Sequence, residues 1–226
     1  RQEAGRLGYK STFSIYDQAD SLRLITLVMR DLNLDPKRYN PRGVASVISG
    51  AKNDLLGPSD YRNATQNSFE EVVAEIYAIY QARLTSANAM DFDDLIMKTV
   101  DLLQKFPEAR SRYRHRFKHI LVDEYQDTNH AQYILIRELV GSDREGISAA
   151  ELCVVGDADQ SIYGFRGATI RNIMAFEEDY PDAQTILLEQ NYRSTQNILS
   201  AANAVISLNE ARKEKNLWSD AGSGAK

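Results

Sequence analysis

Cysteine is almost absent from this chain: Cys153 is the only one in 226 residues. It has no internal partner, so a disulfide framework is excluded and a reducing cytoplasm suits the chain. Its expected place is a buried strand. No long uncharged apolar run occurs, so no membrane span is expected. The opening Arg1-Gln2-Glu3-Ala4-Gly5 lacks the apolar stretch of a signal peptide. Positive charge is not in surplus either: 27 Lys and Arg stand against 32 Asp and Glu, a formal charge of −5. That argues against a broad basic face gripping duplex DNA by charge alone. It leaves open a narrow groove that stacks single-stranded bases. Internal repeats and low-complexity stretches are also missing.

What is present is ordinary for a globular protein, 43% hydrophobic and 26% charged, enough for one or two domains. Residues 1 to about 117 read as almost wholly helical, from apolar spacing at three and four residues. Leu22, Ile25, Val28, Met29 and Leu32 mark one helix with Asp17 as its N-cap. Asn40-Pro41 opens a second, and Gly57-Pro58 closes it. Ser68 and Glu71 form a capping box for a third. A fourth runs from about Asp91 to Phe106, and Pro107 starts a short one after it. The rhythm then changes. His119–Val122, Leu152–Val155 and Thr185–Leu188 read as buried strands. Helical segments lie around Thr128–Val140, Thr169–Phe176 and Ser194–Leu208. Strands alternating with helices imply a parallel α/β sheet. Gly141–Ala150 reads as a surface loop and Gly222-Ser223-Gly224 as a frayed tail.

Each apolar run leads directly into a polar cluster. The first gives Asp123-Glu124-Tyr125-Gln126-Asp127, the second Gly156-Asp157-Ala158-Asp159-Gln160, the third Glu189-Gln190-Asn191-Tyr192-Arg193. In open parallel sheets ligands bind beyond the carboxyl ends of the strands, so three such clusters should converge on one edge. Asp123 suits a hard cation such as Mg²⁺, and Glu124 suits a base that orients or deprotonates water. An isolated Asp-Glu pair is more simply a solvated acidic turn; the longer string from Val122 to Asn129 favours the chemical reading. Gln160 could sense a terminal phosphate. Tyr163 and Phe165 flank Gly164 and precede Arg166, which suits stacked bases and a phosphate backbone; either aromatic taken singly reads equally well as core. Arg193 could neutralise charge on a transferring phosphoryl group, and Tyr192 could stack on a nucleobase. Alone, Arg193 reads better as a partner of a nearby carboxylate. His115 and His119 have metal-ligand spacing for a helix, but His119 falls at a strand start. Arg110, Arg112, Arg114, Arg116 and Lys118 would spread around a helix as a solvated face.

These strings carry a family resemblance. Ile120–Asn129, Val155–Ala168 and Leu188–Thr195 resemble motifs II, III and IV of superfamily 1 DNA helicases of the UvrD/PcrA/Rep kind, in the expected order. Met90-Asp91-Phe92-Asp93-Asp94-Leu95 resembles the segment before motif II. The stretch Phe13-Ser14-Ile15-Tyr16-Asp17, taken as helical, resembles the lead into the helical insertion. The resemblance covers essentially the whole chain and implies an α/β fold: an all-α insertion subdomain and a partial RecA-like P-loop NTPase parallel sheet. It implies a helical insertion over 1–88, part of the first RecA-like domain over 89–189, and motif IV with the lead-in to the second over 190–226. It further implies ATP and Mg²⁺, with Asp123 on the metal, Glu124 as catalytic base, Gln160 coupling nucleotide to DNA, and Tyr192 and Arg193 on the adenine and γ-phosphate. Tyr163, Phe165 and Arg166 would meet single-stranded DNA, with Phe165 where many members have Trp. Such proteins move 3′ to 5′ and unwind duplex DNA in repair or replication.

No GxxxxGK[ST] occurs in the 226 residues. In the family that loop precedes the helical insertion, so the chain reads as a piece of a longer motor, inactive alone. An unpaired sheet edge, exposed apolar surface and self-association are expected. Two alternatives are a non-catalytic fragment that binds single-stranded DNA, and a metal nuclease on Asp123, Glu124 and Asp157. The nuclease reading leaves Gln160 and Arg193 without a role.

Overall fold

Local signals along the chain decide where most helices begin. α1 (Gln18–Asp31) starts on Asp17, whose carboxylate accepts the Asp20 N–H at 2.8 Å and closes a capping box. α2 (Pro41–Asn53) starts on Asn40, which accepts the Arg42 N–H. It stops before the expected Gly57-Pro58, because Leu55 turns left-handed at φ 60°. Gly57-Pro58 opens α3 (Pro58–Ala64) instead. Pro58 sits in its first turn, where a missing N–H costs nothing. α4 (Ser68–Ser86) is capped by Asn67 rather than by Ser68: the extended Asn67 accepts the Glu70 N–H, which draws Ser68 into the helix. α5 (Phe92–Lys105) starts on an Asp91–Asp94 capping box, and α6 (Pro107–Arg116) on Pro107 as expected. The structure, a computed structural model, describes residues 1–141, 149–162, 164, 171–174, 176–209 and 215–224.

The main core is built by α1, α2 and α4, with Val28, Val44, Val73, Ile76 and Tyr77 fully enclosed. Each such side chain contributes roughly 1.5–3 kcal/mol by leaving water. Against this core lies a charge. Lys52 of α2 is 1% exposed, and its Nζ meets Asp91 Oδ2 at 2.6 Å and Asp94 Oδ1 at 3.0 Å. The Tyr80 hydroxyl donates to Asp91 at 2.8 Å, and the Gln81 amide donates to Asp94. Every charge there is paired, which is the condition for keeping it buried.

Two short parallel sheets follow. β1 (Ser14–Tyr16) pairs with β2 (Ala89–Asp91), in register Ser14↔Ala89. The segment around Ser14 is therefore a strand, not the expected helix, held by a partner far away in sequence. β3 (His119–Val122) pairs with β4 (Glu151–Val154), in register His119↔Glu151. Thr185–Leu188 is not a third strand: it is irregular, and Leu188 is 77% exposed. Among the described residues no strand offers it a ladder. Cys153 is exposed rather than buried. It stands opposite Leu121, which is 77% exposed, on a sheet face that no described residue covers.

α7 (His130–Val140) is capped by an Asn129–Gln132 box and packs on α5 and α6. Here the expected solvated basic run is corrected. Arg114 is buried, and its Nε donates to the Glu138 carbonyl at 2.7 Å, while Arg110 pairs with the Glu138 carboxylate. α8 (Arg171–Met174) falls within the expected Thr169–Phe176 stretch, of which 169, 170 and 175 lie outside the described residues, and α9 (Phe176–Asp179) begins at its last residue and runs past it. Most of the expected 141–150 loop lies outside them too. α10 (Gln196–Ile206) begins after Thr195, not Ser194, and has no side-chain cap. Instead the Gly222 and Ser223 carbonyls accept the Gln196 and Asn197 N–H groups at 3.0 and 3.2 Å. The expected fray is thus a tied segment that supplies the orphan partners of a helix start. No helix among the described residues is long and apolar enough to cross a membrane.

Candidate functional site

β3 and β4 end side by side, and the first two polar clusters leave them together. Val155 N–H donates to the Val122 carbonyl at 2.8 Å, which continues the ladder. A regular parallel ladder would next bond the Val155 carbonyl to the Glu124 N–H. The Tyr125 N–H takes that place at 2.9 Å, so this strand carries one extra residue. Glu124 absorbs it in the left-handed region, φ 49° and ψ 43°. For a residue with a Cβ that conformation costs about 1–2 kcal/mol, and such strain gathers at functional sites. The displaced Glu124 N–H turns onto Asp123 Oδ1 at 2.9 Å. Asp123 and Glu124 are both exposed.

The next residues anchor this bulge. Tyr125 is buried, and its ring meets Phe176 edge-on at 5.6 Å. Burial pushes the Tyr125 hydroxyl well above its ordinary pKa. Thr128 hydroxyl donates to the Tyr125 carbonyl at 2.7 Å, and Asn172 donates to Thr128. Asn129 reaches Asn53 at 3.0 Å, joining this loop to the end of α2. Gln126 is 1% exposed. Its Nε2 donates to Glu124 Oε2 at 2.7 Å and its Oε1 accepts the Asp157 N–H at 2.9 Å. No role was read for Gln126 in the sequence, although it stands inside the first motif.

The second cluster is fitted onto that amide. A Cβ on Gly156 would lie 2.7 Å from Gln126 Oε1 and 3.2 Å from the Tyr125 nitrogen, so only glycine allows the approach. Asp157 Oδ1 pairs with Lys215, and Asp157 Oδ2 accepts the Gln160 amide at 2.8 Å. Lys215 also meets Asp159 at 3.2 Å. Burial pushes the Asp157 carboxyl up, but Lys215, the Gln160 amide and the Asp159 N–H outweigh it and hold the group below the usual carboxylate range. Lys215 carries no signal in the sequence, because it is remote and its partners are set by the fold. Tyr163, Phe165 and Arg166 lie outside the described residues.

The third cluster does not leave a strand. It is organised by the segment after Lys215: the Trp218 N–H donates to the Glu189 carbonyl at 3.0 Å, and Asn191 N–H to the Trp218 carbonyl at 2.7 Å. Asn191 Oδ1 accepts the N–H groups of Arg193 and Ser194. Tyr192 OH donates to Gln190 at 2.8 Å, and the residue is 84% exposed. The Arg193 side chain is exposed and makes no ion pair with the first two clusters among the described residues. The expected convergence therefore holds directly for Asp123, Glu124 and Gln160. For the third cluster it runs only through the chain from Asn216, whose N–H meets Glu189, to Lys215 on Asp157.

Comparison with known proteins gives this geometry a family. The profile of the UvrD/REP helicase N-terminal domain matches residues 1–181. The ATP-dependent DNA helicase UvrD1 of Mycobacterium tuberculosis (strain ATCC 25618 / H37Rv) is 63% identical over 221 residues, 96% of this chain and 29% of that protein. The ATP-dependent DNA helicase PcrA of Leuconostoc citreum is 50% identical over 99% of this chain and 29% of its own length. PcrA of Bacillus subtilis (strain 168) is 48% identical over 100% of this chain and 30% of its own length. The chain thus spans under a third of the curated relatives it matches. With a family profile covering 181 of its 226 residues, this chain belongs to the UvrD/REP helicase family.

Proposed function

We propose that this chain is the part of an ATP-driven DNA helicase motor that carries the water-activating carboxylate and its link to the DNA site. The observation that carries this reading is the bulge at Asp123-Glu124, strained, exposed and tied through Gln126 to Asp157 and Gln160. Glu124 is the base that orients the attacking water. Gln160, held by Asp157, responds to the nucleotide's terminal phosphate. Tyr192 offers an open ring for the adenine, and Arg193 an open guanidinium for the γ-phosphate. Tyr163, Phe165 and Arg166 bind single-stranded DNA, and the whole protein moves 3′ to 5′ in repair or replication. The domain limits 1–88, 89–189 and 190–226 belong to the same reading, as does a cytoplasmic setting.

Asp123 fits a magnesium ion carried on nucleotide phosphates. Its exposed carboxylate engages only the Glu124 N–H among the described residues, leaving a hard oxygen outward. Among those residues no group of three or more His, Cys, Asp or Glu forms a cage. One carboxylate with phosphates and water is a usual magnesium arrangement. Magnesium there supplies charge neutralisation at the phosphate oxygens.

The test uses the whole protein. Glu124→Gln is expected to lower DNA-stimulated ATP turnover by about 10²–10⁴-fold while ATP binding persists. Turnover equal to that of the unaltered protein would overturn the assignment. The 226-residue chain, with no GxxxxGK[ST] in it, is expected to hydrolyse no ATP. We also propose that this chain alone self-associates through the uncovered face at Leu121 and Cys153.

A further inference from the structure

We infer that Gln126 is a positioning residue: it sets the direction of the Glu124 carboxylate and ties that direction to the 156–160 turn. This deepens the reading of Glu124 as the base and rests on it. The orientation of the Gln126 amide follows from chemistry. The Asp157 backbone N–H can only donate, so Oε1 must face it. Nε2 is then left to Glu124, whose carboxylate accepts. A flipped amide would set two donors together on one side and two acceptors on the other, so the arrangement has one sense.

The amide is also fixed in place. At 1% exposure it has no water to exchange with, and an unmade bond on either side would leave a buried polar atom unsatisfied. A Cβ on Gly156 would collide with Oε1, so the glycine is what lets the turn lie against the amide. Glu124, by contrast, is exposed on a left-handed residue and has no side-chain partner other than Gln126 among the described residues. Removing the amide therefore frees the carboxylate and also leaves the Asp157 N–H without its acceptor. The same hydrogen-bonded path runs on from Asp157 to the Gln160 amide. A movement of Gln160 and Asp157 is thereby delivered to the acceptor side of Gln126 and on to Glu124.

The experiment separates orientation from mere support, in the whole protein. Gln126→Glu keeps the length and the acceptor for Asp157 but sets a carboxylate against Glu124. Gln126→Asn keeps the amide but is one methylene too short to span both partners. Both variants are expected to lower kcat for DNA-stimulated ATP hydrolysis by about 10–100-fold, with KM for ATP within about twofold and the melting temperature lower by a few degrees, since each leaves a buried polar group without its partner. If Gln126 only supports the turn, Gln126→Glu retains full kcat, and that result would overturn the inference. Should Gln126→Glu fail to fold, Gln126→Asn decides alone, and unchanged kcat sinks the proposal. Glu124→Gln run alongside keeps the two readings distinct. An active Glu124→Gln rejects the base itself; an inactive one beside active Gln126 variants rejects only the positioning role.

Discussion

Lys52 is buried, and the buried Asp91 and Asp94 carboxylates both pair with it. Lys52→Met would leave Asp91 and Asp94 buried beside each other without a cation. The expected loss is about 3–5 kcal/mol in chemical denaturation, well above a surface change. A loss below 1 kcal/mol would mean that the site hydrates freely. Asp157 gives a pH dependence. Its pKa is depressed by Lys215 and hydrogen bonds, so the stability it adds is present above the unfolded value of about 3.9 and is lost as pH falls through its lower folded value. Lys215→Met should therefore be less stable than the unaltered chain at pH 7, with the gap closing below about pH 4. A gap independent of pH would show that Lys215 acts through packing. The residues proposed for the chemistry stood out in the sequence, Asp123-Glu124 in one polar cluster and Gln160 at the end of the Gly156–Gln160 cluster. Lys52, Gln126 and Lys215 did not, because their meaning lies in partners that only the fold brings near.

At the level of elements, what could be read was what is local. Asp17, Asn40, Asp91 and Pro107 each mark a helix start within three residues of the bonds that make it, and each stands where expected. Capping errors were errors of competition: Asn67 sits one residue before Ser68 and wins the cap. Asn67→Ala should cost about 1 kcal/mol in thermal or urea unfolding, and Ser68→Ala only a few tenths. The reverse order would restore Ser68 as the cap. Strands fared differently, since a strand exists only with its neighbour. β1 and β2 have three residues each and pair across more than seventy, leaving no local trace. Thr185–Leu188 has the apolar composition of a strand and no ladder to join among the described residues.

For the molecule as a whole, the β3–β4 sheet is covered on one side and open on the other. Leu121 at 77% exposure and the exposed Cys153 form an apolar surface that water solvates poorly. Light scattering on the chain alone is expected to show a mass above the monomer, returning to monomer in Leu121→Lys. A monomer at high concentration in the unaltered chain rules self-association out. The same sheet holds the extra residue at Glu124. An added residue at the end of a strand lengthens the path between its last ladder bond and the turn that follows. Past Glu124 the chain turns into a single helical turn, Tyr125–Asp127, with Tyr125 and Gln126 buried while Asp123 and Glu124 stay exposed. Deleting one residue there would do more than remove a carboxylate. It would take up the slack that lets the Tyr125 N–H reach the Val155 carbonyl and would pull the buried Tyr125 and Gln126 out of place, so the motif's length carries information that its composition does not.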